Sequence, residues 1–319
     1  MVMSFSDQVK NEAARIKVEN KCCGWAQLAA LIKVNGSLEI VRKRLALKMV
    51  SQHAAVARQT YQLLKERFNL LTKIMVRRNM YLNKDNYYII KLPPQKGIKE
   101  LLMNCGLIEN DYRLNYRIKD SLVTNKCCKQ AYLRGSFLGG GSVNNPESSY
   151  HLEIRVHKQD YAQQLAELAI NSFGLDFGIR RKNSDSLLYL KNAEEIVKVL
   201  NIIGAHNSLL DFENTRVVKE VRNQVNRIVN CETANLNKTI EAAREQIGNI
   251  KLIEMIKGLD SLSPSLQEIA ELRLENPYAS FKELGELLEP TLSKSGVNHR
   301  LRRINKLADR LRDERNLSS

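Results

Sequence analysis

The stretch Ala131 to Ile154, AYLRGSFLGGGSVNNPESSYHLEI, decides the fold. Its first half predicts an apolar helix ending in small residues, Leu133 to Gly141, and its second half alternates as a strand from Tyr150 to Val156. Gly135 and the run Gly139 to Gly141 omit side chains where most helices carry them. Each glycine costs a helix roughly 0.5–1 kcal/mol relative to alanine, so this usage predicts close approach of another backbone. A partner of the same layout exists: Trp25 to Ile40, WAQLAALIKVNGSLEI, is again an apolar helix, a glycine at Gly36 and an alternating strand.

Numbering identifies the two stretches as copies. Gly36 and Gly141 are 105 positions apart, and the same offset relates Cys22-Cys23 to Cys127-Cys128, Phe68 to Phe173 and Ile74 to Ile179. A shared offset across four features predicts a duplicated unit. Each copy reads α-β-β-α-β-β-α. The first has strands at Leu38 to Val41, Leu45 to Ser51, Leu71 to Arg78 and Tyr87 to Leu92, with helices at His53 to Phe68 and Ile98 to Cys105. The second has a short strand near Ser142 to Asn145, strands at Tyr150 to His157, Phe177 to Lys182 and Leu187 to Leu190, a helix at Asp160 to Phe173, and a helix from Ala193 with Asn192 and Glu195 as a capping box.

Two helices of this pattern, Leu28-Ala-Ala-Leu-Ile-Lys-Val-Asn-Gly36 and Leu133-Arg-Gly-Ser-Phe-Leu-Gly-Gly-Gly141, each leading into strands, resemble the LAGLIDADG homing endonucleases. The resemblance implies paired helices packed through small residues, saddle-shaped sheets along a DNA major groove, and an acid at the eighth motif position of each helix holding a divalent cation. Those positions are Asn35 and Gly140 here. Hard cations need carboxylate oxygens, and metal-assisted phosphodiester cleavage needs the cation, so no catalytic residue is expected. Displaced acids such as Glu39 and Glu153 are the alternative.

Composition points to a polyanionic partner. The formal net charge is +15 and the sequence pI about 9.5, which favours nucleic acid over an anionic membrane surface. No apolar run reaches the roughly 18–20 residues needed to span a bilayer, and the first residues are too polar for a secretory core, so a cytoplasmic protein is expected. The six cysteines carry no CxxC spacing, so Cys22, Cys23, Cys127 and Cys128 read as small buried apolar residues; no metal or cofactor is expected. Basic residues recur on the strands, Arg77, Arg78, Arg155, Arg180, Arg181 and Lys182, with Lys73, and alternation in the first strand pair leaves Glu39, Arg42, Arg44 and Lys48 as candidate groove-facing side chains. They read either as a second DNA surface or as a solvated face guarding edge strands.

Residues 206–259 turn helical and polar and read as two helices bridging the domains, each with an apolar stripe, one of them through Val217, Val221, Val225, Ile228 and Val229. Residues 260–319 read as an all-α helix-turn-helix domain: Leu266 to Leu274 behind a Ser263 capping pattern, Phe281 to Leu288 behind a second at Ser280, then a longer helix from about Ser295 to Arg312. Ser263 to Ser293 carries a balance of −4, whereas Lys294 to Arg312 carries +6. On that last helix Val297, Leu301, Ile304, Ala308 and Leu311 form the inward stripe. Ser295, Asn298, His299 and Arg302 are candidates for base edges; Arg303, Lys306 and Arg310 for phosphates; and Arg300, Lys294 and Lys282 complete the candidate DNA-binding set.

The fold class expected is therefore α+β, a duplicated αββαββα LAGLIDADG-like domain over residues 1–205 (halves about 1–110 and 111–205) followed by a helix-turn-helix. This combination, carried by AYLRGSFLGGGSVNNP, LAALIKVNGSLEI and LSKSGVNHRLRRINKLA, is similar to the WhiA family of Gram-positive bacteria. The resemblance implies a DNA-binding transcriptional regulator linked to sporulation in some bacteria and to cell division and chromosome segregation in others. Double-stranded DNA is the expected partner, with another transcription or cell-division protein as a further one, no membrane, and a place in the cytoplasm at the nucleoid.

Overall fold

The computed structural model describes residues 3–78 and 86–316, grouped into two units, Met1–Glu220 and Val221–Ser319. In the first unit the two glycine-rich stretches form helices of identical length, α2 (Lys21–Asn35) and α5 (Lys126–Gly140), preceded by α1 (Phe5–Ala13). Ser4 caps α1 by accepting from the Asp7 N–H. α2 and α5 pack on each other along their length and are buried on nearly every face. A Cβ added to Gly135 would lie 2.4 Å from the Gln27 carbonyl oxygen and 2.9 Å from Ala30 Cβ, so the crossing requires a glycine there.

Each central helix passes directly into a strand. Gly36 and Gly141 sit at that junction with extended φ values, so conformational freedom is not what selects glycine. Space does: a Cβ on Gly36 would lie 2.4 Å from the Ile32 carbonyl oxygen, and one on Gly141 2.3 Å from the Phe137 ring. The strands that follow are β1 (Gly36–Val41) and β2 (Arg44–Ser51), then α3 (Ala54–Gln62) continued by a wider π-turn over Leu63–Arg67, β3 (Lys73–Arg78), β4 (Asn86–Leu92) and α4 (Ile98–Asn104). The second copy supplies β5 (Gly141–Val143), β6 (Leu152–Val156), α6 (Gln159–Phe173), β7 (Gly178–Lys182), β8 (Asp185–Leu190) and α7 (Ala193–Ile203). Both sheets are antiparallel with the same order, β1-β2-β4-β3 and β5-β6-β8-β7, the topology that a duplication requires.

Asn192 does cap α7, accepting from the Glu194 N–H at 2.8 Å, but Glu195 completes no capping box: its carboxylate accepts from the Asp176 N–H instead. Lys33 pins the segment between the copies, its Nζ donating to the carbonyls of Gly106, Asn115 and Arg117 at 3.0, 3.1 and 2.6 Å. Burial brings that ammonium down to about 8.

The stretch expected as two bridging helices is a single helix, α8 (His206–Lys257), of 52 residues. No glycine or proline interrupts it before Gly248, and Asn and Thr side chains there bond within the helix, as Thr239 Oγ1 does to the Asn235 carbonyl. Its ends are buried in separate cores, Phe212 in the first unit and Ile250 and Ile253 in the second. The stripe through Val217, Val221, Val225, Ile228 and Val229 is exposed. Periodicity marked the helix there without marking burial.

In the second unit α9 (Pro264–Glu275), α10 (Phe281–Glu286) and α11 (Lys294–Asn316) pack around Ile269, Leu284, Val297, Leu301 and Ile304. Ser280 and Glu283 form the expected capping box. Ser263 does not: Pro264 stands at the first turn, no side-chain cap bond forms, and Glu268 pairs elsewhere.

Candidate nucleic-acid interface

α11 is positioned by a tight turn. The Leu292 N–H donates to the Gly285 carbonyl at 2.9 Å, and a Cβ on Gly285 would lie 2.1 Å from the Leu292 oxygen, so α10 approaches the turn as closely as backbones allow. Ser293 Oγ then accepts from the Gly296 N–H at the start of the helix. Val297, Leu301, Ile304, Ala308 and Leu311 are buried as expected and fix the rotation of α11.

With that rotation fixed, Ser295, His299, Arg302, Arg303, Lys306 and Arg310 are all exposed. At 3.6 residues per turn they fall within an arc of about 100° and along about 22 Å of axis. Among the described residues none of Arg302, Arg303, Lys306 and Arg310 forms an ion pair, while Asp309 is taken by Arg312 at 3.0 Å. Arg312 is also held by the Asn249 amide oxygen. Unneutralised guanidinium and ammonium groups on one face are what phosphate contact requires.

The remaining members of the predicted set are placed differently. Arg300 turns toward α9 and donates to the Ser265 carbonyl at 3.2 Å and the Glu268 carboxylate at 3.3 Å, tying α11 down. Asn298 is half-buried, Lys294 is exposed on the other flank of the arc, and Lys282 on α10 pairs with Glu286 at 3.7 Å. Arg273 was counted in the sequence only as charge. It is 1% exposed, its Nη1 donating to the Ala279 carbonyl at 2.7 Å and its guanidinium lying over the Phe281 ring, where burial lowers its pKa.

The strand cations divide by register. On the open face of the first sheet, Lys48 pairs with Lys91 across β2 and β4, and Lys91 with Lys73 across β4 and β3. Like charges directly opposite destabilise a sheet unless an anion screens them. Arg77 and Arg44 share this face; Arg78 falls on the opposite one, and Arg42 lies in the β1–β2 turn, where it and Lys43 take positive φ. Lys91 escaped the sequence reading because only the register reveals it. In the second sheet Arg155, Arg180 and Lys182 share the open face, Arg180 pairing with Glu153 at 3.7 Å, whereas Arg181 lies opposite buried Ser186 on the other face.

The eighth motif positions lie at the carboxy-terminal ends of the paired helices. Asn35 is half-buried, and Gly140 is closed to any side chain: its Cβ would lie 2.2 Å from the Arg155 carbonyl oxygen and 2.8 Å from Val34 Cγ1. At the opposite ends, Cys22, Cys23, Cys127 and Cys128 converge, with all four sulfurs within 4.8 Å of one another. This corrects their reading as separate buried apolar residues; Cys22 and Cys127 are exposed.

Three family models match along the chain: the WhiA N-terminal LAGLIDADG-like domain at residues 21–108, the WhiA LAGLIDADG-like domain at 129–222 and the WhiA C-terminal HTH domain at 225–308. A protein of Halothermothrix orenii named "Probable cell division protein WhiA" is 52% identical over 98% of this chain and 100% of its own length. The chain belongs to the WhiA family. A like-named protein of Desulforamulus reducens is 51% identical over 97% of both chains. The crystal structure of full-length WhiA from Thermatoga maritima superposes with a TM-score of 0.61 at 26% identity, covering 97% of this chain and 99% of that one. WhiA membership carries the LAGLIDADG-like fold and the helix-turn-helix, and in this WhiA-family chain the motif acids are replaced by Asn35 and Gly140. Among the described residues no helix is long and apolar enough to cross a membrane.

Proposed function

We propose that the chain is a sequence-specific, non-catalytic DNA-binding transcriptional regulator acting at the nucleoid in cell division, the process for which its relatives are named, with sporulation and chromosome segregation as the associated programmes. In this reading residues 1–205 form a second surface for DNA or a partner protein, 206–259 connect, and 260–319 read the sequence. The observation that carries it is the arc of unpaired cations on α11. Ser295, Asn298, His299 and Arg302 lie in its first turns, where a recognition helix meets base edges, and Arg303, Lys306 and Arg310 follow toward phosphates. The lysine row Lys48–Lys91–Lys73 supports a second contact to the same polyanion. The replacement of both motif acids supports the absence of nuclease chemistry, and the displaced-acid candidates Glu39 and Glu153 already face Lys48 and Arg180.

The test is selection from a random duplex pool followed by anisotropy titration at several salt concentrations. The intact chain enriches a motif. Lys306→Ala weakens binding to all duplexes and lowers the slope of log K against log salt by about 0.9, one phosphate contact, while Arg302→Ala also relaxes the motif. Retention of both motif and slope by the Arg302→Ala, Lys306→Ala double variant refutes the assignment of α11 as reader.

A further inference from the structure

We infer that Cys22, Cys23, Cys127 and Cys128 form a mononuclear tetrathiolate site for zinc that staples the two copies of the duplicated unit at the amino-terminal ends of their central helices. The geometry is the first ground. A tetrahedral zinc with Zn–S bonds of about 2.3 Å places its sulfurs about 3.8 Å apart, and all four sulfurs here lie within 4.8 Å of one another. The spacing suits one ion at the centre; an iron–sulfur cluster, with several metal atoms between its thiolates, needs a wider cradle.

The surroundings are the second ground. Both helices begin with the same tripeptide, Lys21-Cys-Cys23 and Lys126-Cys-Cys128, so the sulfurs gather where two helix N-termini converge. Neither helix carries an acid in its first turn, and neither N-cap asparagine, Asn20 or Asn125, makes a side-chain cap bond. A zinc with four thiolates bears two net negative charges, which two converging N-termini stabilise. Arg134, partly buried further along α5, donates its Nε to the Ile203 carbonyl at 2.8 Å.

The four sulfurs already lie within 4.8 Å of one another, so small side-chain rotations bring the ligand set to tetrahedral spacing. On binding, each thiol releases its proton to solvent as its sulfur bonds the cation, and no electron is transferred. The site lies about 20 Å along each helix from the eighth motif positions at Asn35 and Gly140, and its donors are soft sulfur instead of hard oxygen. Its role is structural: it fixes the crossing of α2 on α5, from which both sheets are hung.

The test uses the full chain purified without chelator under reducing conditions. Elemental analysis and native mass spectrometry should show one zinc per chain, and cobalt substitution should give the intense red-region ligand-field bands and near-ultraviolet thiolate charge transfer of a tetrahedral tetrathiolate. Cys22→Ser with Cys127→Ser, at the two exposed positions, should lose the metal, while Cys231→Ser, on α8, keeps it. A strong chelator should lower the melting temperature of the parent and leave the double variant unmoved. Four results overturn the inference: no zinc taken up when the reduced chain is given the metal; Cys22–Cys128 or Cys23–Cys127 disulfides in the reduced preparation; iron and acid-labile sulfide at the site; or full zinc retention by the double variant. Should that variant fail to fold, the cobalt spectrum of the parent decides alone, because tetrathiolate bands require these four sulfurs.

Discussion

Restoring the two motif acids should fail to restore a cleavage site, and the failure should be asymmetric. Asn35→Asp is isosteric at a half-buried position and should leave stability within about 0.5 kcal/mol. Gly140→Asp is different. Its Cβ alone would lie 2.2 Å from the Arg155 carbonyl oxygen, about 1 Å inside ordinary contact, and 2.8 Å from Val34 Cγ1, so β6 or α5 must shift. Overpacking of this kind costs about 1–3 kcal/mol, and a carboxylate forced against a carbonyl oxygen adds about 1–3 more as an acceptor without a donor. A loss of about 3 kcal/mol corresponds to a melting temperature lower by about 6–12 °C for a unit of this size. Gly140→Ala should show the steric part of the loss, although alanine in an open helical position would stabilise by up to about 1 kcal/mol. The assays are thermal melting of the parent, the three single variants and the Asn35→Asp, Gly140→Asp double variant, and magnesium-dependent nicking of supercoiled plasmid. A Gly140→Asp chain that melts with the parent, or a double variant that nicks plasmid while the single variants do not, refutes the argument that backbone geometry has closed this position.

Two further outcomes follow from buried charges. Arg273→Ala should destabilise the second unit by about 3 kcal/mol, because it empties a fully buried volume and strands the Ala279 carbonyl, whereas Arg273→Met, which strands the same carbonyl but fills most of the volume, should cost about 1–2 kcal/mol less; denaturant melts of the two variants check the difference. His53 lies between Lys10, whose Nζ is 3.3 Å from its Nε2, and Asp7, 3.1 Å from its Nδ1. Burial first, then Lys10, lowers its pKa below 6.5, against a smaller opposing pull from Asp7. The folded state thus binds this proton more weakly than the unfolded one, so stability should fall as pH drops below about 6.5, and the His53→Gln chain should lose that part of the slope. An NMR titration placing the His53 midpoint at or above 6.5 would contradict it.

How far the residues announced all this depends on whether the constraint was local. Gly36 and Gly141 announced the duplication because each sits where any Cβ meets backbone or ring, a demand written into both copies at one offset. The α11 stripe was equally open to reading, since burial of Val297, Leu301 and Ile304 sets which cations face outward. The strand cations were half open: adjacent residues on a strand cannot share a face, so Arg77 with Arg78, and Arg180 with Arg181, had to divide. Arg300 could not be separated from Arg302 and Arg303 by pattern alone, because its diversion depends on Glu268 of another helix. The continuity of α8 was misread through its polarity, although the absence of glycine and proline from 206 to 247 was the stronger signal.

The cysteines show where local rules mislead. Vicinal thiols without CxxC spacing argue against a metal when each pair is judged by itself, because one pair cannot surround an ion. Duplication changes that judgement. A pseudo-twofold axis between α2 and α5 brings every feature of one helix opposite its copy on the other, so two half-sites at the N-termini become four ligands and two half-sites at the C-termini become a pair of opposed positions. Asn35 and Gly140 occupy the second location and offer no carboxylate oxygen there. Cys22-Cys23 and Cys127-Cys128 occupy the first. The same symmetry that would pair carboxylates at one end of these helices pairs thiols at the other, where an ion would hold the two sheets in register.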